Sequence, residues 1–224
     1  MVQIELSDIS KVYTVGDQTI HAVDGVSLKI EKGDFLSIVG HSGSGKTTLL
    51  SIIGGIIRPT SGRVLYDGAD ICTLGDDLLS AYRNSKIGFM FQFASLLPIL
   101  TARENVLLPG LFGPSGRAVD SKKAEEYLSI VGLGDKIEAY PSQLSGGQQR
   151  RVAIARALMN GPEVILADEP TGDLDEETEA EIMDLFKRLN NENKVTFIFI
   201  THNLSLARQA QKQMRMGQGV MKEI

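Results

Sequence analysis

Residues 40–48 read Gly-His-Ser-Gly-Ser-Gly-Lys-Thr-Thr and directly follow the apolar run Phe35-Leu36-Ser37-Ile38-Val39. A glycine-rich turn between a strand and a helix, closing on Lys and Thr, is the phosphate-binding pattern G-x-x-x-x-G-K-[ST]. Gly40, Gly43 and Gly45 let the backbone turn tightly, so that successive N–H groups point inward as an anion nest. The helix starting near Lys46 adds the positive end of its dipole. Lys46 is placed to reach β- and γ-phosphates, and the Thr47 hydroxyl to ligate Mg²⁺. His41, Ser42, Ser44 and Thr48 complete the expected contact segment. This chemistry is that of a nucleoside triphosphate cradle, and the loop alone leaves the use of the triphosphate open.

Two further segments carry chemistry. The apolar strand Val164-Ile165-Leu166-Ala167 runs into Asp168-Glu169-Pro170. An apolar strand ending in Asp is the Walker-B pattern, whose Asp holds Mg²⁺ through water. Glu169, one residue on, is placed to polarise an attacking water. Without the loop, the same two acids read as exposed residues before a turn. The segment Leu144-Ser145-Gly146-Gly147-Gln148 precedes a long helix, and two glycines and a serine at a helix N-terminus make a second anion site. Its plain alternative is a glycine turn capped by Ser145. One chain with two such helix N-termini poses the question of how one nucleotide uses both.

Taken together and in this order, Gly40–Thr48, Leu144–Gln148 and Val164–Glu169 resemble the signature set of the ATP-binding-cassette (ABC) ATPases. The resemblance covers essentially the whole chain. It implies a catalytic group of Lys46, Glu169, His202 and Gln92, with ATP and Mg²⁺ as cofactors. Gln92, after Ile87–Phe91, matches the Q-loop glutamine, a Mg²⁺ and water ligand that also senses the transport partner; a lone Gln would be a surface residue. His202, after Val195–Thr201, matches the switch histidine that contacts the γ-phosphate and positions Glu169 and water. His21 and His41 have no such match, although the His41 backbone lies inside the loop.

Tyr13 sits where the family has an aromatic that stacks on adenine; packing inward from a strand is the competing reading. Asp175, in Gly172-Asp173-Leu174-Asp175, matches the D-loop that crosses to a partner subunit, and it is also a good N-cap for a helix over 176–190. The family's answer to the two-helix question is a head-to-tail pair. Lys46, Thr47, Asp168, Glu169 and His202 of one copy would face Ser145, Gly146, Gly147 and Gln148 of the other, with Asp175 also reaching across. The metal set implied is Thr47, Gln92 and Asp168.

Gly33-Asp34-Phe35, Pro59-Thr60-Ser61-Gly62, Ile87–Gln92, Leu96-Leu97-Pro98 and Thr101–Val106 are similar to the group of this family that serves macrolide export and lipoprotein release. That similarity implies an ATP-hydrolysing subunit that powers an integral membrane permease. A mechanical role on a membrane partner without transport, as in cell-division members, is the alternative. Ala94-Ser95 after Phe93 departs from the bulky or polar residues of the group, where the permease's coupling helix is expected. Phe91, Phe93, Leu96 and Leu97 read either as core or as an exposed docking patch.

The elements that must position these residues follow from pattern. Short β-like runs occupy residues 2–38, a helix is expected over Lys46–Ile56, a strand over Arg63–Tyr66 and a helix over 75–84. Phe93–Asn160 is helical in character, with a loop at Gly113-Pro114-Ser115-Gly116 and with Ala124, Leu128 and Val131 on one helix face closed by Gly132. A helix over Gln148–Asn160 precedes Gly161-Pro162, and a helix over Glu176–Asn190 has an acidic first turn and a basic last turn. Val195–Ile200 is a continuous apolar strand, and a terminal hairpin turns about Gly217-Gln218-Gly219. Apolar strands separated by helices imply an α/β fold with a mostly parallel sheet covered on both faces. The family likeness adds a P-loop NTPase, RecA-like core with an antiparallel β subdomain, about 1–92 and 160–224, and an inserted helical subdomain, about 93–159.

Net charge is −5, which disfavours nucleic acid and an anionic lipid surface as partners. The single Cys72 allows no internal disulfide, as expected of a reducing cytoplasm. No basic, apolar leader opens the sequence, and the longest apolar stretch, near Leu49–Ile57, is far short of the roughly 20 residues that span a bilayer. No direct membrane insertion is therefore expected; the location implied is cytoplasmic, on the inner face of the membrane through the permease.

Overall fold

The structure, a computed structural model, describes residues 1–113, 120–172 and 174–224. In chain order its elements are β1 (Val2–Val15), β2 (Gln18–Glu31), β3 (Phe35–Val39), α1 (Lys46–Ile53), β4 (Ser61–Tyr66), β5 (Ala69–Asp70), α2 (Asp76–Lys86) and β6 (Ile87–Met90). There follow α3 (Ala102–Leu111), α4 (Ser121–Ile130), α5 (Gly146–Leu158), β7 (Val164–Asp168), α6 (Glu176–Asn193), β8 (Thr196–Ile200), α7 (Leu204–Ala207), β9 (Lys212–Gly217) and β10 (Val220–Glu223). They form two sheets. One is antiparallel, in the order β2-β1-β4-β5; the other has six strands in the order β10-β9-β3-β8-β7-β6. Within the second, β9, β3, β8, β7 and β6 run parallel and only β10 is antiparallel, paired with β9.

The central strands are apolar throughout because both faces of the parallel sheet are covered. Alternate side chains still part to opposite sides. Phe35, Ile165, Ala167, Phe197 and Phe199 pack with α3, α4, α5 and α6. Leu36, Ile38, Val164, Leu166, Ile198 and Ile200 pack with α1 and the antiparallel sheet. Phe197 contacts Phe35 and Phe186 at centroid separations of 5.7 and 5.2 Å, tying β3 and β8 to α6.

Several boundaries move for identifiable reasons. Of the short β-like runs expected over residues 2–38, those within residues 18–31 form one strand, β2, whose pairing with β1 absorbs register shifts between Leu6 and Val12. Helix α1 stops at Ile53, three residues early: Gly54 lies so close to Phe89 that a Cβ would come within 1.9 Å of the ring, and Gly55 takes φ +67°. Helix α6 runs on to Asn193 and ends on Lys194 at φ +55°. Its first turn is acidic as expected, but the longer helix leaves no basic residue in its last turn, which corrects that expectation. Helix α5 begins two residues earlier than expected, so Gly146 and Gly147 are its first turn rather than its approach. The expected loop at Pro114–Gly116, and Asp173, lie outside the described residues.

A polar cluster joins the two sheets at the end of the parallel strands opposite to Asp168. Buried Gln3 of β1 accepts from Thr196 Oγ1 at 2.5 Å and donates to Tyr66 OH at 3.1 Å and Glu163 Oε2 at 3.4 Å. Glu163 also pairs with Lys86 and Lys32. The Lys86 hydrogen bond, with the pull of both ammonium groups, holds the Glu163 carboxyl below the ordinary glutamate value of 4.5 despite partial burial. A depressed carboxyl stabilises the fold above its unfolded value and loses that contribution as pH falls through its folded value. Glu163→Gln should therefore lower the melting temperature at about pH 7 by about 2–4 °C, the equivalent of about 1 kcal/mol. In melting scans against pH, the gap between the two proteins should close below 4.5; a constant gap down to strong acid would refute the role given to the ionised carboxylate.

Candidate functional site

The phosphate loop is clamped between two backbones. A Cβ on Gly45, which has φ +99°, would lie 1.8 Å from the Ala22 carbonyl oxygen of β2, and one on Gly40 would lie 2.2 Å from the Met216 carbonyl of β9. The β9–β10 turn completes the clamp: Gly219 N donates to Ser44 O at 3.2 Å, and Asp24 N donates to Gly219 O at 2.9 Å. No side chain caps α1 at Gly45, so its first-turn N–H groups are available to an anion. Buried Lys46 folds over the loop and donates from Nζ to the carbonyls of Gly40 at 2.8 Å and His41 at 2.9 Å. Burial lowers the Lys46 pKa, while the carboxylates of Glu169 and Asp168 oppose that shift by favouring the ammonium form.

The ends of β7 and β8 bring the acids to this loop. Thr47 Oγ1 donates to Asp168 Oδ2 at 2.7 Å, across 121 residues of sequence. Glu169 leaves the strand at φ +48°, a left-handed conformation that costs a residue with a Cβ about 1–2 kcal/mol. Its N–H bonds the Ile200 carbonyl at 3.0 Å, and Gly172 N returns to its carbonyl at 3.1 Å. The strained turn delivers the carboxylate to His202: Nδ1 lies 3.0 Å from Glu169 Oε2, and His202 N donates to the same oxygen at 3.4 Å. A carboxylate oxygen accepts, so the contact assigns the ring proton to Nδ1 and leaves Nε2 for a substrate. The imidazole is 77% exposed and the Glu169 side chain 16%, so the histidine stands between the acid and solvent.

These residues line one cleft of about 460 Å³, with Gly40, Ser42, Gly43, Ser44, Gly45, Lys46, Thr47, Thr48, Gln92, Asp168, Glu169 and His202 all on its wall. Not every expected residue is there. His41 lines the neighbouring hollow and offers its carbonyl to Lys46. Tyr13 is exposed rather than packed inward; Lys11 Nζ sits over its ring at 5.2 Å, and its cross-strand partner Ile20 lines the cleft. Ser145, Gly147 and Gln148 line a separate hollow with Arg151 and Thr178, away from the phosphate loop of the same chain. There Ser145 Oγ accepts from Gln148 N at 3.2 Å and Gln148 Oε1 accepts from Ser145 N at 3.0 Å, so the plain capping reading holds geometrically. Asp175 caps α6 by accepting from Thr178 N at 2.9 Å, and that bond lowers its pKa.

Sequence reasoning missed Ile20, His21, Ala22, Gly172 and Ile200 as lining residues. Ala22 had a signal only in retrospect: a glycine at φ +99° against a carbonyl must have a partner backbone, but nothing in residues 20–23 says which strand supplies it.

The donor set suits a hard, oxygen-seeking cation. A hydroxyl and a carboxylate oxygen 2.7 Å apart, with the Gln92 amide on the same wall, match the few protein ligands Mg²⁺ takes when phosphates and water supply the rest. Among the described residues, no group of three or more His, Cys, Asp or Glu forms a site for a more demanding metal.

A loop, acid pair and histidine so arranged define a nucleotide hydrolase. The family model for ABC transporters matches residues 23–172. The macrolide export ATP-binding/permease protein MacB of Syntrophobacter fumaroxidans is 47% identical over 220 residues, 97% of this chain and 31% of that protein, so the chain spans under one third of that relative. The lipoprotein-releasing system ATP-binding protein LolD of Geobacter metallireducens is 43% identical over 216 residues, covering 96% of each. The dimeric post-hydrolysis structure of the ATP-binding cassette MJ0796 of Methanocaldococcus jannaschii, bound to ADP and Pi, superposes with a TM-score of 0.90 at 43% identity over 98% of both chains. The chain belongs to the ABC transporter ATP-binding family, and with it to the ATPases. Its fold is accordingly the P-loop NTPase fold, as the sequence reading expected.

The clamp makes a direct prediction. Gly45→Ala forces a Cβ against the Ala22 backbone at a left-handed φ, and should cost at least about 2 kcal/mol, or roughly 4–8 °C in melting temperature, together with ATP binding. A variant that melts like the parent and titrates normally with ATP in a calorimeter would show that the loop is not held as described.

Proposed function

We propose that this chain is the ATP-hydrolysing subunit of a membrane transport or extrusion complex, in which two copies close head to tail on ATP and drive an integral membrane permease. The observation that carries this reading is the separation of the two anion-binding helix N-termini. The α1 site lies in the cleft, while Ser145–Gln148 opens a hollow of its own. One chain cannot apply both to one nucleotide, whereas two copies in opposite orientation can; the dimeric state of the MJ0796 cassette supports this. Asp175 serves the same contact from the start of α6.

The residue roles follow from their chemistry. Lys46 exchanges the Gly40 and His41 carbonyls for β- and γ-phosphate oxygens, which are better acceptors for an ammonium. Thr47, Asp168 and Gln92 hold Mg²⁺, which when bound neutralises phosphate charge. Glu169 accepts the proton of the attacking water, and His202 keeps that carboxylate oriented through Nδ1 while contacting the γ-phosphate through Nε2, which donates only when both ring nitrogens carry protons. Tyr13, exposed beside Ile20, stacks on the adenine. Hydrolysis replaces one bridging ligand by two mutually repelling anions, and this opens the pair.

The permease docks on the surface that follows β6. Phe93 and Ile99 are 69% and 80% exposed, and Phe91 and Leu97 are also exposed, so they form a surface patch, whereas Leu96 packs against the core. Its backbone is nevertheless braced. Arg156 donates to the carbonyls of Ala94 at 2.7 Å and Ser95 at 2.8 Å, and buried Asn105 bonds Leu97, Leu100 and Thr101. The helices α3, α4 and α5 form the helical subdomain, about 93–159, that moves with this patch. Among the described residues no helix is long and apolar enough to cross a membrane. The proposed association is peripheral, on the inner face through the permease. A mechanical role without transport uses the same machinery and is the alternative; stimulated hydrolysis with vectorial movement of a substrate in reconstituted vesicles separates them.

Two variants test the reading. Glu169→Gln should bind ATP with near-native affinity, lose most turnover and run as a dimer with ATP in size-exclusion chromatography; hydrolysis at the native rate would remove Glu169 from its role. Phe93→Asp should keep basal ATPase activity within about twofold, since the Phe93 side chain is exposed and does not line the cleft, yet lose co-purification with the membrane partner. Retained co-purification would move the docking surface elsewhere.

A further inference from the structure

Helix α5 carries Ser145–Gln148 at its N-terminus and Arg150 one turn further on. Arg150 is only 6% exposed. Its Nη1 donates to the Phe91 carbonyl at 2.9 Å and its Nη2 to the Gly172 carbonyl at 3.3 Å. The acceptors are 81 residues apart in sequence, and both belong to segments bordering the cleft. The Phe91 carbonyl shares its rigid peptide plane with the Gln92 N–H. Gly172 closes the turn that Glu169 opens, through its N–H to the Glu169 carbonyl at 3.1 Å. A guanidinium offers its donors in a fixed planar fork, so one rigid group sets where both carbonyls sit.

We infer that Arg150 is a positioning residue for hydrolysis: its fork ties the Gln92 segment and the Glu169 turn to α5, the helix that carries the trans-acting Ser145–Gln148. It is not among the residues that line the cleft. From the Ser145 cap to Arg150 is roughly 7.5 Å of rigid helix, at about 1.5 Å per residue. A shift of the helix end on meeting the other copy is therefore passed to the metal-side amide and the base-side turn together. This deepens the proposed head-to-tail mechanism and rests on it. A buried arginine that merely fastens the lobes would act on stability and ATP affinity, whereas a positioning residue acts on the chemical step at saturating ATP.

The test uses the full chain with Arg150→Met, which keeps length but removes the donors, and Arg150→Lys, which keeps charge but not the fork. Steady-state hydrolysis, ATP binding by calorimetry and melting are measured for each. The expected result is a fall in kcat of about tenfold to a hundredfold for Arg150→Met, an intermediate fall for Arg150→Lys, and an ATP KM and affinity within about threefold of the parent. A kcat within about twofold of the parent, or a kcat loss matched by loss of ATP affinity, overturns the inference. Should Arg150→Met fail to fold, the same split read on Arg150→Lys decides. Glu169→Gln is run in parallel. Full turnover by that variant rejects the mechanism on which the inference rests, whereas an inactive Glu169→Gln beside an active Arg150→Met rejects the inference alone.

Discussion

In-register pairing of the parallel strands is the constraint on which the site depends. Ile38 of β3 pairs with Ile200 of β8, Ile200 with Asp168 of β7, and Ala167 of β7 with Met90 of β6. Four strands thus end on one line, and the residue or two following each end is a site residue: Gly40, Gln92, Glu169 and His202. Ligands gather at the carboxyl ends of parallel strands for this reason. A slip of one residue in any pair would turn that strand's buried set to the wrong face and carry its site residue out of the cleft. The phenylalanine contacts of β3, β8 and α6, and the polar cluster about Gln3 and Glu163 at the opposite strand ends, bear on catalysis chiefly by holding this register.

The electrostatics of the cleft follow from the same convergence. A buried ammonium is costly unless paired, and Lys46 has two carbonyls as partners and two carboxylates near enough to favour its charge. The acids are disposed differently. Asp168 is engaged by Thr47, on the side of the metal donors, while Glu169 is turned by its positive φ toward His202. Adjacent residues of like chemistry are thereby given different partners by one strained backbone torsion.

Much of this was legible in the sequence, and the limits have physical causes. The phosphate loop, the acid pair and the capped segment at Ser145 are local patterns, and local patterns survive in sequence. The period-2 signal of a strand does not survive in Thr196–Ile200, where both faces are buried, so the strand was readable only as a run. Gln92 and His202 owe their identification to family likeness, because a lone Gln or His after a strand carries no chemistry of its own. The inward-packing alternative for Tyr13 gives way to exposure beside Lys11, and Asp175 proves to be a cap whatever else it does. Arg150 was invisible: the Phe91 and Gly172 acceptors are backbone carbonyls, which leave no trace in composition.

The two helix N-termini differ in a way that bears on the cycle. Helix α1 has no side-chain cap, so its first-turn donors are fully available to phosphate. Helix α5 has a reciprocal capping box, which already satisfies the Ser145 and Gln148 N–H groups. An anion meeting α5 finds the amides of Gly146 and Gly147 and the partial dipole charge, but little more without opening the box. On the head-to-tail reading, the cis contact is then intrinsically the stronger and the trans contact the weaker. A cassette must first load its nucleotide and only then close, and it must open again once the γ-phosphate is cleaved. On that reading, unequal affinity of the two helix ends would order those events, and the bulk of a larger residue at Gly147, whose Cβ would meet the Thr178 methyl at 2.7 Å, would obstruct the weaker of the two.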